Sequence, residues 1–232
     1  MKFLRKFANP ALDNSLATKT RQKNFELFRS LVSTVPKPLK ILDIGGTQYY
    51  WEKVNFLEND DIEIILLNVS KEEVNHPMLK SIAGDARRLI DFKDKEFDIV
   101  FSHSVIEHVG GFDDQRKMAE EIKRVGKRYF LQTPNRFFPV ETHFLFPMFQ
   151  FLPLCVKVWL VSHFDIGWYR RTPDREKALE IVKSIRLLTK KELGELFPEG
   201  SIYRERFLGL TKSFLVYGGW DTASKEKYMP LR

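Results

Sequence analysis

Four groups of polar residues stand where short apolar runs end: Asp43 with Gly45 and Gly46, Asn68, Asp85 with Ala86, and Ser102 to Ser104. Successive groups are 17 to 23 residues apart, about the length of one strand and its crossover. Because the carboxyl ends of parallel strands share one edge of a sheet, we expect these groups to converge. Such an edge can bind a molecule of nucleoside size, with the Gly turn against its polar tail, Asn68 on ribose hydroxyls and Asp85 on an exocyclic amine.

Asp43 is the most informative of these residues. It lies inside the apolar run Leu39–Ile44, where a carboxylate is costly unless it caps backbone N–H groups or meets a ligand. Gly45 and Gly46 follow, and their lack of a Cβ lets a ligand approach the backbone closely. An ordinary strand and glycine turn remains the alternative for this stretch taken alone.

His143 is the candidate for acid–base chemistry among the five histidines. It follows the predicted strand Tyr129–Thr133, and Glu141 lies two residues before it. Either side chain could take a proton from an acceptor hydroxyl. The alternative is that this pair anchors a loop. For His103 a backbone contact and for His108 a local hydrogen bond are the expected roles.

The elements that must position these residues alternate between strand and helix. Apolar runs Leu39–Ile44, Ile62–Val69, Phe97–Ser102 and Tyr129–Thr133 predict buried strands, and Asp113–Val125 predicts an amphipathic helix. Thr189 and Glu192 have capping-box spacing for a late helix. Two closing strands are predicted around Gly209. This alternation indicates an α/β fold with a largely parallel sheet covered on both faces.

Two segments stand apart from this pattern. Residues 1–36 hold seven basic and two acidic residues and predict a basic N-terminal helical arm or lid. Residues 37–232 form the main domain, with an aromatic and proline-rich insertion at about 136–171. Its segment 144–164 is broken by Pro147 and Pro153, so we expect a substrate lid, with a membrane-facing or dimer-forming hairpin as the alternative.

Composition narrows the class of protein. The chain has 232 residues, 43% of them hydrophobic, which suits one substantial domain with a real core. Its single cysteine excludes an intrachain disulfide and a cysteine-based zinc site, and it fits a cytoplasmic, reducing compartment. No signal peptide is predicted. The sequence lacks G-x-G-x-x-G, so nicotinamide binding is a poor interpretation.

Residues 39–135 resemble the class I S-adenosylmethionine-dependent methyltransferases, in particular the small single-domain type-11 group. FDIVFSHSVIEHV is similar to the family's fourth strand and following helix, and AGDARRL to its adenine-side acidic motif. The resemblance implies a Rossmann-like sheet of seven mostly parallel strands with helices on both faces, and S-adenosylmethionine as cofactor. It places Asp43 and Gly45 near the methionine end, Asn68 near the ribose, Asp85 near the adenine amine and Ser102 to Ser104 beside the sulfonium.

The chain departs from the family in two places. Thr47 and Tyr49 replace two glycines of the first turn, and Asn68 replaces a ribose-binding carboxylate, which would weaken binding by ~1 kcal/mol or more. The resemblance implies direct methyl transfer without a metal. The expected acceptor is an oxygen of a small-molecule, glycan or lipid-linked substrate, because Ser102 to Ser104 replace the signature of nitrogen methylation.

Three matters stay open at the level of sequence. RNA methylation through the basic arm is one alternative function, and a non-catalytic, partner-binding cofactor fold is another. A peripheral membrane contact would accompany a lipid-linked acceptor. The chain is expected to be a monomer or a homodimer.

Overall fold

The computed structural model describes residues 16–58 and 61–220. The predicted arm falls only partly in this range, and its residues 1–15 lie outside the described residues. Within the range the first element is a helix where the pattern predicts one. Before residue 134 a helix separates the first strand from the second and the fourth from the fifth, whereas loops alone connect the strands Ile62–Asn68, Leu79–Ala83 and Ile99–His103.

A seven-stranded sheet forms the centre of the molecule. Its order is β3-β2-β1-β4-β5-β9-β8, with β1 to β5 parallel and the last two antiparallel to their neighbours. The predicted mostly parallel, Rossmann-like sheet is confirmed. Its strands are β1 (Leu39–Ile44), β2 (Ile62–Asn68), β3 (Leu79–Ala83), β4 (Ile99–His103), β5 (Tyr129–Pro134), β8 (Ser201–Phe207) and β9 (Leu210–Gly218).

Two hydrophobic cores cover the two faces of this sheet. One takes in Phe28, Trp51 and Phe101, and the other Met118 and Leu193. Side chains alternate along each strand, so Ile41 and Leu42 enter opposite cores. The helices are α1 (Leu16–Val32), α2 (Gln48–Lys53), α3 (Phe112–Val125), α4 (Leu154–His163), α5 (Arg175–Lys183) and α6 (Lys190–Leu196).

Local signals in the sequence explain several helix boundaries. Thr47 caps α2 by accepting a hydrogen bond from the Tyr50 amide. Thr189 and Glu192 form the predicted capping box at the start of α6. None of the helices in the described ranges is long and apolar enough to cross a membrane.

The predicted insertion has a small core of its own. It contains the hairpin β6 (Val140–Glu141) and β7 (Phe146–Pro147), a short 3-10 turn, and α4. Residues from Phe144 to Val182 form this third core, which includes side chains of α5 beyond residue 171. The insertion therefore packs as a unit beside the sheet.

The sheet positions the site through a reversal of strand order. Strand β1 pairs with β2 on one side and with β4 on the other. Crossovers therefore leave in opposite directions, and a crevice opens beyond the carboxyl ends of these strands. The predicted polar groups lie at or just beyond the carboxyl ends of β1, β2, β3 and β4, at this edge.

Candidate active site

Asp43 is buried at the end of β1, 1% exposed. Trp51 Nε1 donates to Asp43 Oδ2 at 2.7 Å, whereas the buried Oδ1 has no hydrogen-bond partner among the described residues. Burial raises the pKa of Asp43 to about 7, against the lowering effect of the Trp51 hydrogen bond. Buried polar atoms without partners are rare in folded proteins, so Oδ1 is suited to a donor from a ligand.

Two glycines make room for this carboxylate. A Cβ at Gly46 would lie 1.6 Å from Asp43 Oδ2, so no other residue fits there. Gly45 has a φ of 74°, and a Cβ there would lie 2.4 Å from Val105. The turn thus combines a buried acid with closely approachable backbone, as the sequence predicts.

Two cavities meet at this turn. A cleft of about 650 Å³ is lined by Gly45, Asn68, Asp85 and Ala86, together with His108. A smaller cavity of about 240 Å³ is lined by Asp43, Gly45, Gly46, His103 and Ser104. Gly45 belongs to both. The structure therefore brings eight of the nine predicted cofactor-site residues to one edge of the sheet.

Ser102 is the exception, and its place beside the sulfonium remains a prediction. Its side chain is buried between strands, where Oγ donates to the Ile44 carbonyl at 3.4 Å, and it lines neither cavity. Strand alternation turns Ser102 away from the edge where His103 and Ser104 open into the cavity. Ser104 has a φ of 57°, and its hydroxyl donates to Gln132 Oε1 at 2.7 Å.

Asn68 and Asp85 reach the cleft but already hold protein partners. Asn68 donates through Nδ2 to the Gly46 carbonyl at 2.9 Å, which ties the end of β2 to the glycine turn. Asp85 accepts from the Arg87 guanidinium at both oxygens and from the Arg87 amide. The Arg87 hydrogen bonds lower the pKa of Asp85, so it is ionised near neutral pH. The predicted ribose and adenine roles remain predictions.

A second group of titratable side chains surrounds His143. Glu141 Oε1 lies 2.7 Å from His143 Nδ1, and Glu141 Oε2 accepts from the amides of His143 and Phe144. The predicted Glu141–His143 pair is thus a direct contact. Glu107 approaches from the other side, with Oε1 4.0 Å from His143 Nε2.

Glu107 is a site residue that the sequence patterns did not single out. It is 0% exposed, Thr133 Oγ1 donates to its Oε2 at 2.9 Å, and its Oε1 has no hydrogen-bond partner among the described residues. Burial raises the pKa of Glu107 to about 7, opposed by the nearby His143. The sequence feature that could have identified Glu107 is its carboxylate among the apolar residues of SVIEHV.

The pKa values of the two histidines shift in opposite directions. Burial by itself lowers the pKa of His143, but the hydrogen bond and charge of Glu141, with the charge of Glu107, raise it above its usual value. Burial and the neighbouring His143 lower the pKa of His108 to about 4. The rings lie 4.8 Å apart, so a neutral His108 stands between His143 and the cleft that it lines.

Glu107, His108 and His143 offer ligand atoms that all lie within 4.8 Å of one another. Two imidazoles and one carboxylate could hold a divalent metal. The same atoms could instead share a proton between Glu107 and His143.

A third cavity borders the insertion. It measures about 280 Å³ and is lined by Glu141, Phe144 and Phe149, with cationic Arg136, Lys157 and Arg186. It lies on the insertion side of Glu141. This arrangement offers an acceptor both apolar walls and positive charge.

Part of the chain matches a known domain family. The methyltransferase domain family of type 11 matches residues 47–129, which include Asn68, Asp85 and Glu107. An uncharacterized protein of Mycobacterium tuberculosis strain CDC 1551 is 38% identical over 56 residues, 24% of this chain and 19% of that protein. A second uncharacterized protein, from strain H37Rv, matches with the same values. The chain therefore spans about a fifth of the length of these curated relatives.

Solved structures share the fold. An S-adenosylmethionine-dependent methyltransferase from Aquifex aeolicus superposes with a TM-score of 0.52 at 12% identity, over 93% of this chain and 96% of that one. The N-terminal domain of EvdMO1, crystallised with S-adenosylhomocysteine and D-fucose, gives 0.51 at 15% identity, over 86% and 82%. Residues 47–129 therefore match the type-11 methyltransferase domain family, and the chain shares its fold with solved S-adenosylmethionine-dependent methyltransferases.

Proposed function

We propose that this protein transfers a methyl group from S-adenosylmethionine to an oxygen of a small-molecule, glycan or lipid-linked acceptor. The observation that carries the proposal is the meeting of two cavities at Gly45, beside the unpartnered Asp43 Oδ1. The Glu141–His143–Glu107 group lies next to this edge through His108.

The residues around the glycine turn fit the cofactor. The 650 Å³ cleft is large enough for a nucleoside, and glycines supply backbone without Cβ atoms where it meets the smaller cavity. Asp43 would hold the amino-acid end and Asn68 and Asp85 the nucleoside end. A neutral His108 adds no positive charge to a cleft that would hold a sulfonium cation.

When bound, S-adenosylmethionine supplies a strongly electrophilic methyl group. The protein then has to align the acceptor, exclude water and accept its proton. His143 Nε2 takes the hydroxyl proton, because Nδ1 is held by Glu141. Glu141 and Glu107 stabilise the resulting imidazolium, which is the physical meaning of its raised pKa.

The choice of an oxygen acceptor rests on two features. The segment after β4 is Ser102 to Ser104 and lacks the signature expected for nitrogen methylation. A histidine base paired with a carboxylate also suits a hydroxyl, which must lose a proton as the new bond forms. The cation-lined cavity beside Glu141 is the proposed acceptor pocket.

Calorimetric titration with S-adenosylhomocysteine, followed by methyl-label transfer into fractionated lipid, glycan, small-molecule and RNA pools, tests this function. We expect binding, and label in a lipid, glycan or small-molecule fraction as an alkali-stable methyl ether. Label in RNA would instead favour the nucleic-acid alternative, whose basic residues before 16 lie outside the described residues. Absence of binding would favour a non-catalytic cofactor fold.

A further inference from the structure

Helix α4 is apolar on its solvent side as well as on its core side. Its sequence is LCVKVWLVSH, and its one charged residue, Lys157, donates through Nζ to the Gln150 carbonyl. Only Val158 and Val161 are buried. Cys155, Val156, Trp159 and His163 are exposed. A helix that is hydrophobic all round normally lies in a protein core or against a membrane.

The surroundings of α4 continue this apolar character. Of thirteen exposed large hydrophobic residues in the described part of the chain, eight fall between positions 137 and 168. We call them the insertion surface: Phe137, Met148, Phe151, Leu154, Val156, Trp159, Phe164 and Trp168. Phe137 stacks on Phe151, and Trp159 packs edge-on against Phe164. Such a concentration marks a contact with a partner.

The charges around the insertion surface are mainly positive. Arg136, Arg170 and Arg171 are exposed, whereas Glu141 is buried and Asp165 is the one exposed carboxylate between residues 136 and 171. Asp165 accepts a hydrogen bond from the Arg171 amide. A second copy of this chain would bring like charges together, whereas anionic lipid headgroups would complement them.

We propose that the insertion surface binds the face of an anionic lipid bilayer, with α4 lying in the plane of the interface. The ten residues of α4 are too few to span hydrocarbon that requires about 20. Trp159 and Trp168 are of the residue type that favours the interface, and the arginines reach the headgroups. This inference does not depend on methyl transfer.

The four tryptophans of the chain make the test specific. Trp51 and Trp220 are buried, while Trp159 and Trp168 are 52% and 45% exposed and both belong to the insertion surface. Vesicles of equal parts phosphatidylcholine and phosphatidylglycerol should therefore shift tryptophan emission to the blue. A polarity-sensitive dye on the single, exposed Cys155 should report an apolar environment at the same lipid concentration.

Sedimentation with the same vesicles measures how much individual side chains contribute to lipid binding. The double variant Trp159→Ala/Phe164→Ala should lose at least about tenfold in partitioning. The double variant Arg170→Glu/Arg171→Glu should lose at least about thirtyfold, and more so at low salt. Leu208→Ala/Leu210→Ala is the matched control, since these exposed leucines lie outside the insertion surface, and it should bind like wild type.

Titration with S-adenosylhomocysteine in the absence of vesicles separates this proposal from the proposed activity and reports that each variant is folded. Equal binding by wild type and the Trp159→Ala/Phe164→Ala variant, or no binding to the anionic vesicles, would overturn the membrane surface. A dimer in solution that the same variant abolishes would also overturn it, in favour of self-association.

Discussion

The site holds two fully buried carboxylates, Asp43 and Glu107, whose local bonding is alike and whose surroundings differ. Each has one oxygen bonded to a neutral donor, Trp51 or Thr133, and one oxygen without a partner among the described residues. Burial raises the pKa of both to about 7.

The neighbours decide what each carboxylate can do. The Trp51 and Phe101 rings near Asp43 are packed 5.1 Å apart and carry no charge that could offset an ionised acid. Glu107 faces His143, which can carry the compensating positive charge. The proposed cofactor end at Asp43 therefore depends on an incoming ligand for its charge balance, whereas the proposed acceptor end at Glu107 contains its own counter-charge.

The largest expected effect tests the acceptor end. His143→Gln removes the proposed base, so kcat should fall about a hundredfold to ten-thousandfold. Affinity for S-adenosylhomocysteine should stay unchanged, because His143 lines neither of the two cavities at Gly45. Kinetics and calorimetry on the same preparation measure both, with His76→Gln as the control. An unchanged kcat would remove the acid–base role from this end.

The second prediction concerns the stability cost of Asp43 in the ligand-free protein. Its folded pKa of about 7 exceeds the ordinary 3.8, so the folded state holds the proton more tightly. Protonated Asp43 therefore stabilises the folded protein. This stabilisation is fully present below pH 3.8 and is lost as the pH rises through about 7. The free energy of unfolding of Asp43→Asn should therefore rise relative to that of wild type as the pH increases from about 4 to about 8. The gain should reach up to about 4 kcal/mol.

Urea unfolding of both proteins across this pH range measures that gain. Asp94→Asn is the control, because Asp94 is exposed and pairs with Arg124 at the surface. A pH-independent difference between Asp43→Asn and wild type would show that Asp43 is not an uncompensated acid.

The third prediction tests what compensates Asp43. Asp43→Asn keeps an acceptor for Trp51 but removes the charge offered to a ligand. Affinity for S-adenosylmethionine should fall about tenfold to a hundredfold, the range for a hydrogen bond to a charged group of about 1.5–3 kcal/mol. Calorimetry measures this, and Asp94→Asn should bind normally. Equal affinities would mean that both ends of the site are self-contained.

The smallest expected effect is the pH dependence of activity, which tests His143 as the base of the proposed acceptor end. Activity should rise with pH as His143 loses its proton, with a midpoint above the ordinary histidine value because its pKa is raised. Glu141→Gln removes the main influence that raises the pKa of His143, so this limb of the profile should move to lower pH. A pH profile of kcat/KM measures the shift. If the rising limb of the profile stays at the same pH in Glu141→Gln, the group that titrates is not His143.

The sequence was sufficient for the features that depend on local pattern. Apolar runs located β1, β2 and β5, and the Thr189 to Glu192 spacing located the start of α6. Asp43 was recognisable because a carboxylate inside an apolar strand is costly unless it is hydrogen-bonded or binds a ligand. Glu141 and His143 were recognisable as candidates from their place after β5, and their direct contact is a finding of the structure.

Features that depend on tertiary contacts could not be read in the same way. Glu107 gains its importance from Thr133 and His143, which lie distant in sequence. The side to which Ser102 points depends on where β4 begins, and a one-residue error reverses it. The packing of α5 against α4 depends on a third core that no periodicity between residues 144 and 182 reveals.

That third core shares none of its members with the two that flank the sheet. Evolution or an engineer can therefore treat residues 144–182 as an exchangeable cassette, with Glu141, His143 and Arg186 kept in place. Grafting a foreign cassette at this point would redirect what receives the methyl group while leaving the nucleotide half untouched.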